Sequence, residues 1–360
     1  MDQGGLQASR TAMRRPRSRQ YACSGVSTQR PFVLIPSCSD AILVCVEAPV
    51  AGCDYPGTLR AFNAWFPDDE ACLHYLAGLR WRGGFVCSLC RCDKAWRMSK
   101  GRNLRCARCR ADHSVTAGTI FADTRLPLST WFQAAWYVTG TKHGVSALGL
   151  QRLLGLGSYE TAWALLHKLR RAMVRPSRDR LAGEVEVDET AIGPSKPGKL
   201  GRGTFADKAI VAIAVEVRPR GACGRIRLAR IPDCSAPTLT DFACTAVGPG
   251  SVVYTDHWRG YDGLAGAGLL HQRTSIAASG DPAHVVMPRA HRVSSLLKRW
   301  LLGTHQGAAR PQQLDFYLDE FAFRFNRRSS RQRGLLFHRL LEQAMQIDHV
   351  PVSAIAGGRP

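Results

Sequence analysis

Apolar and polar residues alternate from Glu184 to Ile192, with Val185 and Val187 set between Glu184, Glu186 and Asp188. A period of two marks a strand with one buried face. Asp188 then falls on the face opposite the valines, at the end of the alternation. Further apolar runs predict strands over 208–217, 224–231 and 251–256, and a short helix over 237–246. The last of these runs, SVVYTD, ends in a second aspartate, Asp256.

Upstream the period lengthens. From Thr58 the spacing is helical: Phe62, Trp65 and Phe66 lead to a helix opened by Pro67 and Asp68, with Ala71, Leu73, Tyr75, Leu76 and Leu79 on its apolar side. Residues 128–174 predict three helices. Trp131, Phe132, Ala135 and Trp136 stripe the first, and Val145, Leu148 and Leu153 the second. Gly155-Leu156-Gly157 then turns the chain. Ser158 caps the third helix, whose core side is expected to be Tyr159, Trp163, Leu166 and Leu169, with Lys168, Arg170 and Arg171 outside. Two helices joined by a short glycine turn are compatible with a helix-turn-helix, although three-helix packing is also common without DNA. Downstream, Val293, Leu296, Leu297, Trp300 and Leu301 stripe another helix.

Charge changes what these elements are expected to touch. The 360 residues carry 49 Lys+Arg against 28 Asp+Glu, a formal charge of +21. Such a chain attracts polyanions, nucleic acid first. No apolar run approaches the ~18 residues of a bilayer span, and no secretory signal is read at the N-terminus. Residues 1–30 hold six arginines against Asp2 alone and read as a solvated basic leader.

Cysteine spacing adds a metal. Cys87-x-x-Cys90 and Cys106-x-x-Cys109, fifteen residues apart, match a closed four-cysteine structural zinc site. Arg91, Lys94, Arg97, Lys100, Arg102, Arg105, Arg108 and Arg110 decorate it, as suits a phosphate backbone. Phe85 and Trp96 are expected to pack around it.

Strand, strand, strand, helix, strand, with aspartates on the first strand and at the end of the last, is the order of a ribonuclease-H-like fold. There, carboxylates on adjacent strands hold two divalent metals that act on a phosphodiester. Magnesium takes oxygen ligands and keeps waters, so Asp188, Asp256 and one further group suffice. The third group should come from a downstream helix. His291 and Lys298, seven positions apart, share a helical face. Glu320 and Asp319 are rivals with better chemistry for magnesium. From 291 to 339, ten Lys/Arg interleave with Phe316, Tyr317, Phe321, Phe323 and Phe325, fitting either a nucleic-acid groove or a packed core.

The motifs FPDDEACLHYLAGLRWRGGFVC, the cysteine quartet, TAGTIFADTRLPLSTWF, EVDETAIG, VYTDHWRGY, HRVSSLLKRWLLGTHQG and YLDEFAFRFNRRSSRQRGLLFHRLL resemble bacterial insertion-sequence DDE transposases with an N-terminal zinc ribbon, the ISXO-like branch. The resemblance covers roughly residues 60–345. It implies an α/β, ribonuclease-H-like mixed sheet with helices, preceded by a small zinc ribbon and a helix-turn-helix-like segment. It also implies a catalyst that cuts and joins double-stranded DNA at transposon ends, with Mg2+ or Mn2+ at Asp188 and Asp256. In this branch the third acid position maps onto His291, with Lys298 seven residues later; a histidine there departs from the usual glutamate. The expected divisions are a leader (1–57), helix plus ribbon (58–125), a helical DNA-binding segment (126–177), the catalytic domain (178–345) and a tail (346–360). A homo-oligomer on DNA, in the cytoplasm at the nucleoid, is the expected working form. A zinc-ribbon DNA-binding protein without catalysis, or a related nuclease that joins nothing, is the alternative.

Overall fold

The computed structural model describes residues 48–98, 102–175, 178–193, 208–274, 283–307 and 310–357. Lys100 and most of the basic leader lie outside these.

The larger sheet is built on five strands: β4 (Glu184–Ile192), β5 (Ala209–Arg218), β6 (Ala222–Ile231), β7 (Val252–Thr255) and β8 (Leu270–Arg273). Their spatial order is β6-β5-β4-β7-β8. β4, β5 and β6 are antiparallel, whereas β4–β7 and β7–β8 are parallel. The parallel step needs a crossover, supplied by α6 (Ala236–Ala246) between β6 and β7. This is the mixed sheet of a ribonuclease-H-like fold; β4 to β7 and α6 fall where the periodicity predicts them, whereas β8, a short and largely polar strand, was not predicted.

Both faces are covered, so β5 reads as a continuous apolar run rather than an alternation. Val185, Val187, Ala212 and Ala214 pack under Leu239, Phe242 and Ala243 of α6. On the other face Val211, Ile213, Ile226 and Leu228 meet α7 (Pro288–His305) and α8 (Leu314–Asn326).

A second core forms from α1 (Leu59–Trp65), α2 (Asp69–Arg80), α3 (Leu128–Gly140), α4 (Ala147–Leu154), α5 (Tyr159–Arg171) and α9 (Arg333–Ala344). Thr58 and Asp68 cap the first two helices, each accepting a hydrogen bond from the backbone N–H of Ala61 and Ala71 respectively. Phe337 on α9 sits at the centre, 5.5 Å from the Phe62 ring and 5.6 Å from Trp136. The chain therefore returns from the sheet to close its N-terminal core. Packing also extends past the expected divisions at both ends. Tyr55 is fully buried, and a Cβ on Gly334 would lie 1.8 Å from the Pro56 carbonyl. At the other end, Ile355 in α10 (Val352–Ala356) is buried as well.

The helical stripes need correction. Leu148, Leu153 and Tyr159 are exposed, not core. Ser146 caps α4, and at 100° per residue Ala147, Leu150 and Leu154 share one side while Leu148 and Leu153 point away from it. Lys168 and Arg170, expected outside, are buried. Arg170 turns inward because Glu320 of α8 waits there, with Nε donating to Oε2 at 2.7 Å.

Candidate functional site

The ribbon is a three-stranded antiparallel sheet: β1 (Ala95–Arg97), β2 (Asn103–Cys106) and β3 (Asp112–Ser114). Each cysteine pair forms a matching turn. The Arg91 N–H donates to the Cys87 carbonyl at 3.0 Å, and the Arg110 N–H to that of Cys106 at 3.1 Å. Both arginines adopt positive φ, 59° and 65°, so each knuckle closes in the left-handed region at a non-glycine residue. All four sulfurs lie within 4.8 Å of one another, with Cys87–Cys109 and Cys90–Cys106 both at 3.5 Å. A tetrahedral zinc with ~2.3 Å bonds to sulfur has edges of about 3.8 Å, so the quartet fits the ion. The N–H groups of Cys109 and Arg108 bring the Cys106 thiol down to about 6, favouring the thiolate a metal needs. Phe85 packs near the cluster, its ring 5.3 Å from His113. Trp96 does not pack there: it is exposed, with the Arg110 guanidinium 4.8 Å over its ring. Of the basic residues, Arg105 and Arg97 pair with Asp112 and Glu70, while Arg91, Lys94, Arg108 and Arg110 stay exposed.

The second centre lies at the middle of β4, where its shorter neighbour β7 ends. Glu186 pairs with Tyr254 in the parallel ladder. Two residues further along come Asp188, within β4, and Asp256, just past the end of β7. Asp256 Oδ1 accepts the Trp258 N–H at 3.1 Å, and the Trp258 indole donates to the Cys234 carbonyl at 2.9 Å. Gly260 permits that fold, since a Cβ there would stand 2.5 Å from Trp258 Nε1 and 2.7 Å from the Cys234 oxygen.

α7 crosses the same face of β4. Its first turn has Pro288 and no capping side chain of its own. Glu186 supplies the cap: Oε2 accepts the N–H groups of Arg289 and Ala290 at 2.8 Å each, and Oε1 takes the Arg289 guanidinium at 2.5 Å. One turn on, Ser294 donates to Thr190 at 2.9 Å. Between these anchors His291 Nε2 sits 3.7 Å from Asp188 Oδ2. Lys298 is exposed on the same helix. Burial lowers its ammonium, Lys208 adds to this, and the Asp188 charge opposes both. The structure thus brings Asp188, Asp256, His291 and Lys298 to one place.

On the far face of β4, Glu189 accepts the Tyr261 hydroxyl at 2.5 Å. Burial raises the Tyr261 phenol well above its usual range, with the Glu189 charge next and those of Asp188 and Asp256 adding to it. One phenol thus feels all three carboxylates. Alternation gave no warning of Glu186 and Glu189, because both look like solvent-facing acids. A proline-led helix with no Ser, Thr or Asp before it was the available sign that α7 needs a cap from elsewhere.

Glu320 is elsewhere engaged. It is fully buried, and its oxygens accept Arg170 and Arg324, the latter at 2.7–2.8 Å. Asp319 is also buried. The aromatics of α8 are core: Phe316, Phe321, Phe323 and Phe325 are all buried. Arg327 and Arg328 stack on Phe323 and Phe325 at 4.1 Å. Among the described residues no helix is long and apolar enough to cross a membrane.

Residues 180–326 match the ISXO2-like transposase domain, and residues 67–112 match the transposase zinc-ribbon domain. A curated relative, described as an uncharacterized protein in transposable element ISH50 of Halobacterium salinarum, is 26% identical over 289 residues. The match covers 72% of this chain and 91% of that protein. The first matched span contains the paired aspartates and α7, and the second contains the cysteine quartet. The chain thus joins a region matching the transposase zinc-ribbon domain to one matching the ISXO2-like transposase domain.

Proposed function

We propose that the protein binds its element's DNA ends and performs metal-dependent cleavage and strand transfer through Asp188, Asp256, His291 and Lys298. The observation that carries this reading is the placement of Asp188 on β4 and of Asp256 just past the end of its parallel neighbour β7, with α7 setting His291 3.7 Å from Asp188.

Two carboxylates of this kind suit Mg2+ or Mn2+, which take oxygen donors. Such ions activate water and stabilise a leaving oxygen. Asp188 and Asp256 hold the metals, and the Trp258 N–H orients Asp256. His291 serves as third ligand or orients the scissile phosphate. Lys298, seven residues and two turns along the helix, faces a phosphate beside the cut. Hydrolysis breaks one phosphodiester and frees a 3′-hydroxyl; in transfer that hydroxyl attacks a target phosphodiester in line, and the displaced 3′-oxygen of the target strand leaves. The exposed arginines of the ribbon and the α4–α5 pair hold the duplex. Two ends must be held together, so the working form is at least a dimer.

The test is cleavage and joining of a labelled duplex carrying the element's end, with Mg2+. Loss of product in Asp188→Asn, Asp256→Asn and His291→Ala, with duplex binding kept, is the expected result. Product in Asp188→Asn equal to wild type overturns the assignment. Tight binding by a wild type that makes no product favours a binding protein without catalysis.

A further inference from the structure

A cavity of about 210 Å³ lies where the chain passes from α5 to the sheet. Arg175, Arg178 and Asp179 of that connection line it, with Arg225 and Arg227 of the edge strand β6 and Arg327 at the end of α8. Five guanidinium groups thus face one carboxylate. Glu216 neutralises Arg225, accepting Nη2 at 2.6 Å, and Asp179 lies 3.8 Å from Arg175.

Arg227 and Arg327 are differently placed. Arg227 is 6% exposed and donates to the carbonyls of Ile226, at 3.0 Å, and Asp179. Arg327 stacks on Phe323 and donates to its carbonyl at 3.3 Å. Among the described residues neither pairs with a carboxylate. Burial takes both down to about 10, helped by Arg178 and Arg225 at the first and by Arg175 and Arg339 at the second. Carbonyl dipoles offset only part of the cost of burying such charges; an anion would offset more. Planar guanidinium forks pair bidentately with phosphate as they do with carboxylate, and in a chain of net charge +21 the anion at hand is a polyanion's phosphate.

Position decides which phosphate. Arg227 pairs across the sheet with Ala214, which pairs with Val187. That places it two strand spacings, roughly 10 Å, from Val187. Arg227 leaves β6 on the Val187 face while Arg327 comes from α8 on the other, so the pocket wraps the β6 edge of the sheet, whereas Asp188 and Asp256 lie at the β4–β7 border; a phosphate held at that edge is not the one being cut. The pocket also follows directly on α5, the second of the two helices joined by the Gly155 turn.

We propose that this arginine pocket is a clamp for a backbone phosphodiester of the bound DNA, away from the cut, at the junction of α5 and the five-stranded sheet. The proposal rests on the DNA-binding reading above and adds a site to it.

The test uses the full-length, zinc-loaded protein without divalent activator. Duplex affinity is measured over a series of KCl concentrations for wild type, Arg178→Gln, Arg327→Gln and Asp179→Asn. Each arginine variant is expected to bind several-fold more weakly, with a salt slope lower by about one. Asp179→Asn should bind more tightly, and its exposed side chain makes misfolding no obstacle to reading that arm. A parallel arm compares melting in inorganic phosphate, in ATP and in chloride of equal ionic strength. Unchanged affinity and slope in all three variants overturns the clamp. Stabilisation by phosphate or ATP that the arginine variants abolish, with duplex affinity unchanged, overturns the DNA source in favour of a free phosphate. A wild type that binds no duplex overturns the clamp together with the DNA-binding reading, whereas normal wild-type binding with insensitive variants overturns the clamp alone.

Discussion

Glutamine at position 320 separates a structural carboxylate from a catalytic one. The Glu320 side chain is 1% exposed and that of its partner Arg170 is 2% exposed. Burial alone would raise this carboxyl, but Arg324 and Arg170 hold it at about 2, below its ordinary 4.5. A depression of that size corresponds to roughly 3 kcal/mol. The folded-state pKa lies below the unfolded one, so this stabilisation is full above about pH 4.5 and is lost as pH falls towards 2. Removing one partner of a buried pair independently costs about 3–5 kcal/mol, because Arg170 is left buried without its counter-charge. Glu320→Gln should therefore lower the melting temperature by roughly 10 °C at pH 7. The gap to wild type should narrow on acidification through pH 4. Thermal unfolding by circular dichroism on zinc-loaded protein measures both. A variant that melts like wild type at pH 7 refutes the structural argument. A variant that stays folded and binds duplex but no longer cuts it makes Glu320 the third ligand in place of His291.

Other changes act at defined points. Gly260→Ala should displace Trp258, loosen Asp256 and cut cleavage at least tenfold while duplex affinity holds; full activity would mean that Trp258 does not position Asp256. Tyr261→Phe removes one charge-assisted hydrogen bond to the buried Glu189, which costs about 1.5–3 kcal/mol, visible as a lower melting temperature. Glu186→Gln takes the charged cap from α7, so cleavage should fall with a smaller loss of stability than Glu320→Gln gives; a pure stability loss with normal cleavage by folded protein would make the cap merely structural. Chelating zinc should unfold the ribbon and abolish duplex binding while the sheet's circular dichroism persists, and metal analysis should find one zinc per chain.

Periodicity alone located β4 to β7 and the helices α1 to α7, but neither β8 nor the three short strands of the ribbon. A period-two run gave β4 its bounds and set Asp188 opposite Val185 and Val187. The ribbon was equally legible, because a tetrahedral metal fixes cysteine spacing locally. His291 and Lys298 could be placed together because a helix carries residues seven apart onto one side. What tertiary structure decided is what local pattern cannot carry. Arg170 looked like a solvated helix residue until α8 brought Glu320 against it, 150 residues away in sequence. Leu148 and Leu153 looked like core because leucine is apolar, but the core side of so short a helix depends on where Ser146 starts it. Glu320, the better magnesium ligand by chemistry, is committed to two arginines by the packing of α8 on α5. The parallel pairing of β4 with β7, and with it the meeting of Asp188 and Asp256, depends on a crossover that spans residues 193–251. Alternation fixes which face a carboxylate takes, but only the assembled sheet fixes which carboxylate stands beside it.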